Sequence, residues 1–320
     1  MKHLLSLADC STQEIRGLLE LGLRVKRNPK KYATSLVGKT LGMIFQKHST
    51  RTRVSFEVGM CQLGGHALFL SEETLQISRG ESFDDTARVL GRYVDGILAR
   101  VHRHADLGRL CAGGVPVVNG LSDQVHPCQV LADLLTLREQ TGSLAGKSLA
   151  YVGAGNNMAH SLILGCAKVG VEIRVATPPE YGPDPAVVDA ARRCGGEVRV
   201  TSDPREAVRG ADAVYTDVWV SMGEEAERAT RLAALEAYRV TGELFAHAAP
   251  GAVFMHCLPA HRGEEVSSEV LDHERSVIFD EAENRLHAQK AVLLHLIGGV
   301  ALPDPSGESE RPRTSASAST

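Results

Sequence analysis

The sequence predicts an α/β protein made of two doubly wound parallel-sheet domains linked by long helices. Three observations lead there. The chain has 320 residues, more than one ordinary core holds and about right for two domains. Short apolar runs alternate with stretches of helical periodicity, which is the pattern of βαβ units with helices on both faces of a parallel sheet. The alternation pauses at a long helical stretch near 128–141 and then restarts, so the second half repeats the architecture of the first.

Taken in order, Ser11 to Glu14 reads S-x-x-E, a capping box. It opens a helix with Ile15, Leu18, Leu19 and Leu23 at helical spacing, which Asn28-Pro29 ends. Strands are expected at about 40–46, 66–70, 94–99 and 115–118, with helices near 50–64, 82–92 and 104–112. The helix at 128–141 carries Val130, Leu131, Leu134 and Leu135 and should stop at Gly142. Beyond it, strands are expected near 147–152, 171–176, 197–201, 212–218, 252–256 and 276–279. A last helix at about 281–299 ends at Gly298-Gly299. The tail from 303 to 320, rich in Pro, Ser and charge, should be disordered.

Composition excludes several function classes. A formal charge of -4, a pI near 6.4 and 43% hydrophobic residues advertise neither nucleic acid nor disorder. The seven cysteines are scattered, odd in number and never spaced as C-x-x-C, which fits a reducing cytoplasm better than a disulfide framework or a zinc site. The amino-terminal stretch turns polar too early for a signal peptide, and no uncharged apolar run approaches ~18 residues. A chain neither secreted nor membrane-spanning is expected.

The chemistry lies in polar motifs that each follow a predicted strand. In doubly wound sheets ligands bind beyond the carboxyl ends of the strands. Ser49 to Arg53, Arg100, His126 to Gln129, Asn156-Asn157, Asp217 to Gly223 and His256 to Pro259 are therefore expected to share one cleft. In the STRTR stretch, first-turn amides, hydroxyls and the helix dipole converge as an anion site requires, with phosphate the natural guest. Arg51 and Arg53 stand about 200° apart on that helix, so Arg51 is given to the ligand and Arg53 to structure. The segment YVGAGNNMAHS only superficially resembles a dinucleotide fingerprint. Met158 replaces its third glycine, and no acidic residue ends the following strand.

Together, STRTR at 49–53, HPCQ at 126–129, DVWVSMG at 217–223 and HCLP at 256–259 resemble the ornithine carbamoyltransferases, relatives of aspartate carbamoyltransferase. The resemblance covers about residues 1–300. It implies transfer of a carbamoyl group from carbamoyl phosphate to L-ornithine, giving L-citrulline and phosphate for arginine biosynthesis. No metal or organic cofactor is implied, and a homotrimer or multiple of trimers is. It divides the chain into a carbamoyl phosphate domain at 1–132 and an ornithine domain at 133–283, with the helix at about 284–299 packing back on the first. Ala154 stands where family members often carry an acidic residue, a departure that touches no assigned role.

The residues suit that chemistry. Ser49, Thr50, Arg51 and Thr52 would cradle the dianion, and Arg100 adds a guanidinium for the departing phosphate. His126, with Thr52 and Arg100, would donate to the carbamoyl oxygen as it turns negative, and Gln129 would accept from the carbamoyl amide. The resemblance adds Gln76, reaching a neighbouring subunit's carbamoyl phosphate, and Arg285, reaching the carbamoyl phosphate from the last helix. On the amine side, Asp217 is expected to hold the α-ammonium and Asn157 the α-carboxylate, with Ser221 and Met222 extending the grip. Cys257 falls where the amine arrives, and a thiolate there would orient and deprotonate it rather than act as a nucleophile. Leu258 would offer its carbonyl beside it. Other acceptors, putrescine or N-acetylornithine, and a non-enzymatic two-lobed amino-acid binding protein are the competing readings.

Overall fold

The structure, a computed structural model, describes residues 1–220 and 225–304. Its first half is a four-stranded parallel sheet in the order β2-β1-β3-β4: β1 (Thr40–Phe45), β2 (His66–Ser71), β3 (Gly96–Arg100) and β4 (Val117–Leu121). Helices α1 (Thr12–Arg27), α2 (Thr50–Gln62), α3 (Phe83–Leu90) and α4 (His104–Leu110) flank it. Then α5 (Pro127–Thr141) leads to a five-stranded parallel sheet, ordered β7-β6-β5-β8-β9. Its strands are β5 (Ser148–Val152), β6 (Glu172–Ala176), β7 (Val198–Thr201), β8 (Ala213–Thr216) and β9 (Val253–His256). Its helices are α6 (Asn157–Val169), α7 (Pro185–Arg193), α8 (Pro204–Val208), α9 (Arg228–Leu235), α10 (Gly242–Phe245), α11 (Ser268–Leu271) and α12 (Ile278–Leu296). No described helix is long and apolar enough to cross a membrane.

Each sheet changes direction once, between β1 and β3 and between β5 and β8, and such a switch opens a crevice at the carboxyl ends of the strands. The amino ends of the same two pairs are tied by matching latches, read from G-K-T-L and G-K-S-L. Asp95, just before β3, takes Lys39 Nζ at 2.8 Å and the Thr40 N–H at 2.8 Å. Asp212, just before β8, takes Lys147 Nζ at 3.0 Å and the Ser148 N–H at 2.9 Å. Both strand pairs are thus fixed at one end while the other is left for chemistry.

One apolar core runs from sheet to sheet. Met43, Leu98 and Val118 of the first and Tyr151, Tyr215 and Met255 of the second join it through α1, α5, α6 and α12. Helix α12 returns from the second half to pack on α5, α1 and α2. The Ser11–Glu14 capping box forms, and Gly142 ends α5 in a positive-φ conformation.

The structure corrects the segment at 276–279. Ser276 makes only an isolated bridge to Phe254, and the chain is helical from Ile278, three residues before the expected start of the last helix. The apolar run Val277-Ile278-Phe279 looks like a strand in isolation. Glu281 and Arg285, each one turn further on, are buried along the same helix and carry it into the interior. Strand β4 lies toward the carboxyl side of its expected place, since Asn119, Gly120 and Leu121 belong to it. Of the expected tail, residues 305–320 lie outside the described residues.

Candidate active site

Strand β1 delivers the chain into α2, and Ser49 caps that helix by accepting from the Thr52 N–H at 3.2 Å. The Thr50 and Arg51 amides have no acceptor among the described residues, as expected of the first turn. The two arginines part as the helical angle requires. Arg53 turns outward to Glu57 at 3.0 Å and stacks over Phe69 at 3.8 Å. Arg51 reaches across to the Leu258 carbonyl, joining the ends of the two sheets.

Arg285 converges on the same helix end from α12, buried at 3% exposure. It donates to Gln129 Oε1 at 2.5 Å and to Thr52 Oγ1 at 3.1 Å, so α12, α5 and α2 meet in one guanidinium. Arg100 ends β3, also buried, and burial, then the charges of Arg285 and Arg51, push it down to about 10. His126 is held well below the usual imidazole range by burial, then by Arg285, Arg100 and Arg51, so it is a neutral ring. Its side chain does not cap α5. Ser161 Oγ instead accepts its N–H at 2.6 Å and fixes the loop.

Arg100 Nε and His126 Nδ1 are buried with no partner among the described residues. Each costs about 1–3 kcal/mol, and the two lie within a set of three guanidinium groups with no carboxylate paired to any of them among the described residues. Folding alone gives no reason for this surplus of positive charge. A compact anion with several acceptor oxygens would neutralise it.

The amine side is built on β5, β8 and β9. Asp217, 6% exposed, takes Asn156 Nδ2 on Oδ2 at 2.8 Å, and takes the Cys257 thiol at 3.0 Å and the Val218 N–H at 2.8 Å on Oδ1. Asn156 also caps α6, accepting from the Met158 and Ala159 N–H groups. Cys257 differs from expectation. Burial, then the Asp217 carboxylate, raises it well above the usual thiol range, so the group is a neutral donor to Asp217 rather than a thiolate.

Leu258 has φ 57°, a left-handed conformation that costs a β-unbranched residue about 1–2 kcal/mol and turns its carbonyl toward Arg51. His256 supports that turn, taking the Leu258 N–H on Nδ1 at 2.9 Å and facing Glu265 Oε1 with Nε2 at 3.2 Å.

Ser49, Thr50, Arg51, Thr52, Arg100, His126, Gln129, Cys257, Leu258, Arg285 and Asp217 thus line the carboxyl ends of the two sheets. Asn157 lies there too, but its Nδ2 is taken by the Ser122 carbonyl at 2.9 Å. Gln129 differs as well. Its Oε1, expected to meet a carbamoyl amide, accepts from Arg285. Gln76 stands apart on an exposed turn after β2, with no side-chain bond to the cluster among the described residues. Ser221 and Met222 lie outside the described residues. A cavity of about 270 Å³, lined by residues such as Asp203, Arg205 and Arg239, lies elsewhere, beside α8 and α10.

Sequence reasoning missed Asp133, Glu281 and Tyr215, which lie directly behind Gln129 and Arg285. The available signal was a carboxylate on the apolar face of each helix, one turn from a site residue. The dinucleotide exclusion gains a physical cause. A Cβ at Gly155 would stand 2.2 Å from Pro183 N, so this glycine admits the protein's own 182–183 backbone.

Residues 2–139 match the model of the carbamoyl-P binding domain of aspartate/ornithine carbamoyltransferase, and residues 145–296 match that of its Asp/Orn binding domain. An ornithine carbamoyltransferase of Methanoculleus marisnigri is 54% identical over 308 residues, 95% of this chain and 99% of the relative. One from Carboxydothermus hydrogenoformans is 55% identical over 304 residues, 93% and 98% of the two chains. The solved ornithine carbamoyltransferase from Pyrococcus furiosus superposes with a TM-score of 0.90 at 51% identity, covering 94% of this chain and 98% of the other.

Proposed function

This chain belongs to the aspartate/ornithine carbamoyltransferase family, and we propose that it carbamoylates the side-chain amine of L-ornithine, giving L-citrulline and phosphate in arginine biosynthesis. The observation that carries this reading is the pairing across the cleft of three uncompensated guanidinium groups with the Asp217–Cys257 pair. An anionic donor suits the first and a cationic amino acid the second.

In this reading the α2 amino end, Arg51, Arg100 and Arg285 hold the phosphate. Asp217 binds the α-ammonium and fixes the reach of the side chain. A lysine-like amine has a reference pKa near 10.4, so presenting it neutral at pH 7 costs about 4–5 kcal/mol. The neutral nitrogen attacks the carbamoyl carbon, and the carbonyl oxygen becomes negative against His126, Thr52 and Arg100. The C–O bond to phosphate then breaks. The cationic cradle stabilises the leaving phosphate, which takes up the proton the nitrogen loses and so departs as the dianion. Cys257 acts as a neutral donor that orients Asp217.

The same reading divides the chain into a donor domain at 1–132, an acceptor domain at 133–283 and a returning helix at 284–299. It also includes a cytoplasmic homotrimer in which Gln76 serves a neighbouring subunit. Exposed Val54 and Val58, one turn apart on α2, and Leu68 on edge strand β2 support such a contact, being apolar and uncovered. The test is citrulline formation by the purified full chain given carbamoyl phosphate and L-ornithine. Turnover of putrescine or N-acetylornithine with none of L-ornithine overturns the acceptor, and no turnover with any amine overturns the reaction.

A further inference from the structure

Behind the cradle, two carboxyl groups face each other in the buried interior between the sheets. Asp133 on α5 is 1% exposed and Glu281 on α12 is fully buried. The two N–H groups of Gln129 Nε2 are divided between them, one to Asp133 Oδ1 at 2.8 Å and one to Glu281 Oε1 at 3.0 Å. The Tyr215 hydroxyl lies 3.3 Å from Asp133 Oδ2 and 3.2 Å from Glu281 Oε1, yet has one proton to give. The His256 N–H, at the end of β9, donates to Glu281 Oε2 at 2.9 Å. Among the described residues no Lys, Arg or His comes within ion-pair distance of either carboxyl.

Two adjacent buried carboxylates without a counter-ion cannot both be ionised at modest cost, so one proton stays between them. With both Gln129 N–H groups committed to the pair, Gln129 Oε1 has a single direction left, toward Arg285. We propose that Asp133 and Glu281 are positioning residues that share one proton and, through Gln129, hold Arg285 and the carbamoyl phosphate cradle in register with the strand end carrying Cys257. The proposal rests on the donor site described above and concerns how that site is held.

The titratable groups facing the pair are Arg285 on α12, Tyr215 on β8, Cys257 on β9 and Cys166 on α6. Burial, the largest influence on both, raises both carboxyls, and for Glu281 the Asp133 charge adds to it. Loss of the shared proton at high pH would leave two like charges. They would push apart, release Gln129 and repel a bound dianion.

The experiment measures binding of carbamoyl phosphate alone to the full chain by calorimetry, from neutral pH to about pH 9. Glu281→Gln supplies through an amide N–H what the shared proton supplies, and cannot lose it. The wild-type Kd is expected to rise about tenfold toward the alkaline end, whereas Glu281→Gln stays within about threefold of the neutral wild-type value and is flat with pH. Glu281→Ala, which leaves Gln129 and the His256 N–H without their acceptor, should bind about 5- to 100-fold more weakly at every pH.

If Glu281→Gln binds as weakly as Glu281→Ala, or keeps the wild-type pH dependence, the shared proton is refuted. Should Glu281→Ala fail to fold, Asp133→Asn replaces it in the comparison: it must resemble Glu281→Gln, since either amide mimics the protonated partner, and a loss of tenfold or more overturns the proposal. Citrulline formation by the wild type is scored separately. Its absence overturns the reaction assignment, whereas an active wild type with a failing Glu281→Gln overturns only the pair.

Discussion

Replacing Arg285 with alanine tests the cradle most directly, because that side chain bonds both Gln129 and Thr52 and stands among two other cations. The substitution removes charge-assisted donors to Gln129 Oε1 at 2.5 Å and Thr52 Oγ1 at 3.1 Å. Hydrogen bonds to charged groups contribute about 1.5–3 kcal/mol each. Against that loss stands a relief, since Arg285 is itself destabilised, first by burial and also by Arg51. The net effect on the protein without substrate should therefore be small, whereas the effect with a bound dianion should be large because the relief no longer applies. We expect a loss of about 2–4 kcal/mol in carbamoyl phosphate binding, or roughly 30- to 1,000-fold in its KM. The assay is steady-state kinetics with carbamoyl phosphate varied at saturating ornithine, beside thermal unfolding with and without carbamoyl phosphate. The Tm without substrate should change little, and the rise on adding carbamoyl phosphate should largely vanish. A lowered Tm with an unchanged KM would refute the reasoning, because Arg285 would then be a structural strut.

Asp217→Asn should lower kcat/KM for ornithine by about 10- to 100-fold while leaving the KM for carbamoyl phosphate nearly alone, as the carboxylate lies on the acceptor side of the cleft. Cys257→Ser keeps a donor to Asp217, so kcat should fall less than about tenfold with the alkaline limb of its pH profile unmoved; a shifted limb would mean that a thiolate takes part after all. Asp95 and Asp212 titrate below the usual carboxylate range, because although burial opposes ionisation, the lysine and backbone N–H partners outweigh it. A depressed folded-state pKa gives stability that is present above the unfolded value near 3.9 and lost as pH falls through the folded one. Urea midpoints of Asp95→Asn and Asp212→Asn should lie below that of the wild type at neutral pH and converge with it in acid.

The βαβ alternation was legible because buried parallel strands and amphipathic helices write different periods into the chain, and local chemistry fixed the Ser11 capping box and the Ser49 helix start. The placement of motifs after strands was legible for a topological reason, since the loops at one edge of a doubly wound sheet all open on the same crevice. Val277 to Phe279 misled because three apolar residues fit either period, and only the burial of Glu281 and Arg285 along the same helix decides for the helix.

Left to itself, then, the sequence determined most of the elements and the family, which rest on local periodicity and on motifs of a few adjacent residues. Tertiary structure alone decided that Arg285 meets Thr52 across 233 positions, that Cys257 is a donor to Asp217, and that Asp133 and Glu281 are neighbours. Those outcomes turn on burial and on which charges the fold brings together. Both set protonation and hydrogen bonding through distances in space that no spacing along the chain records.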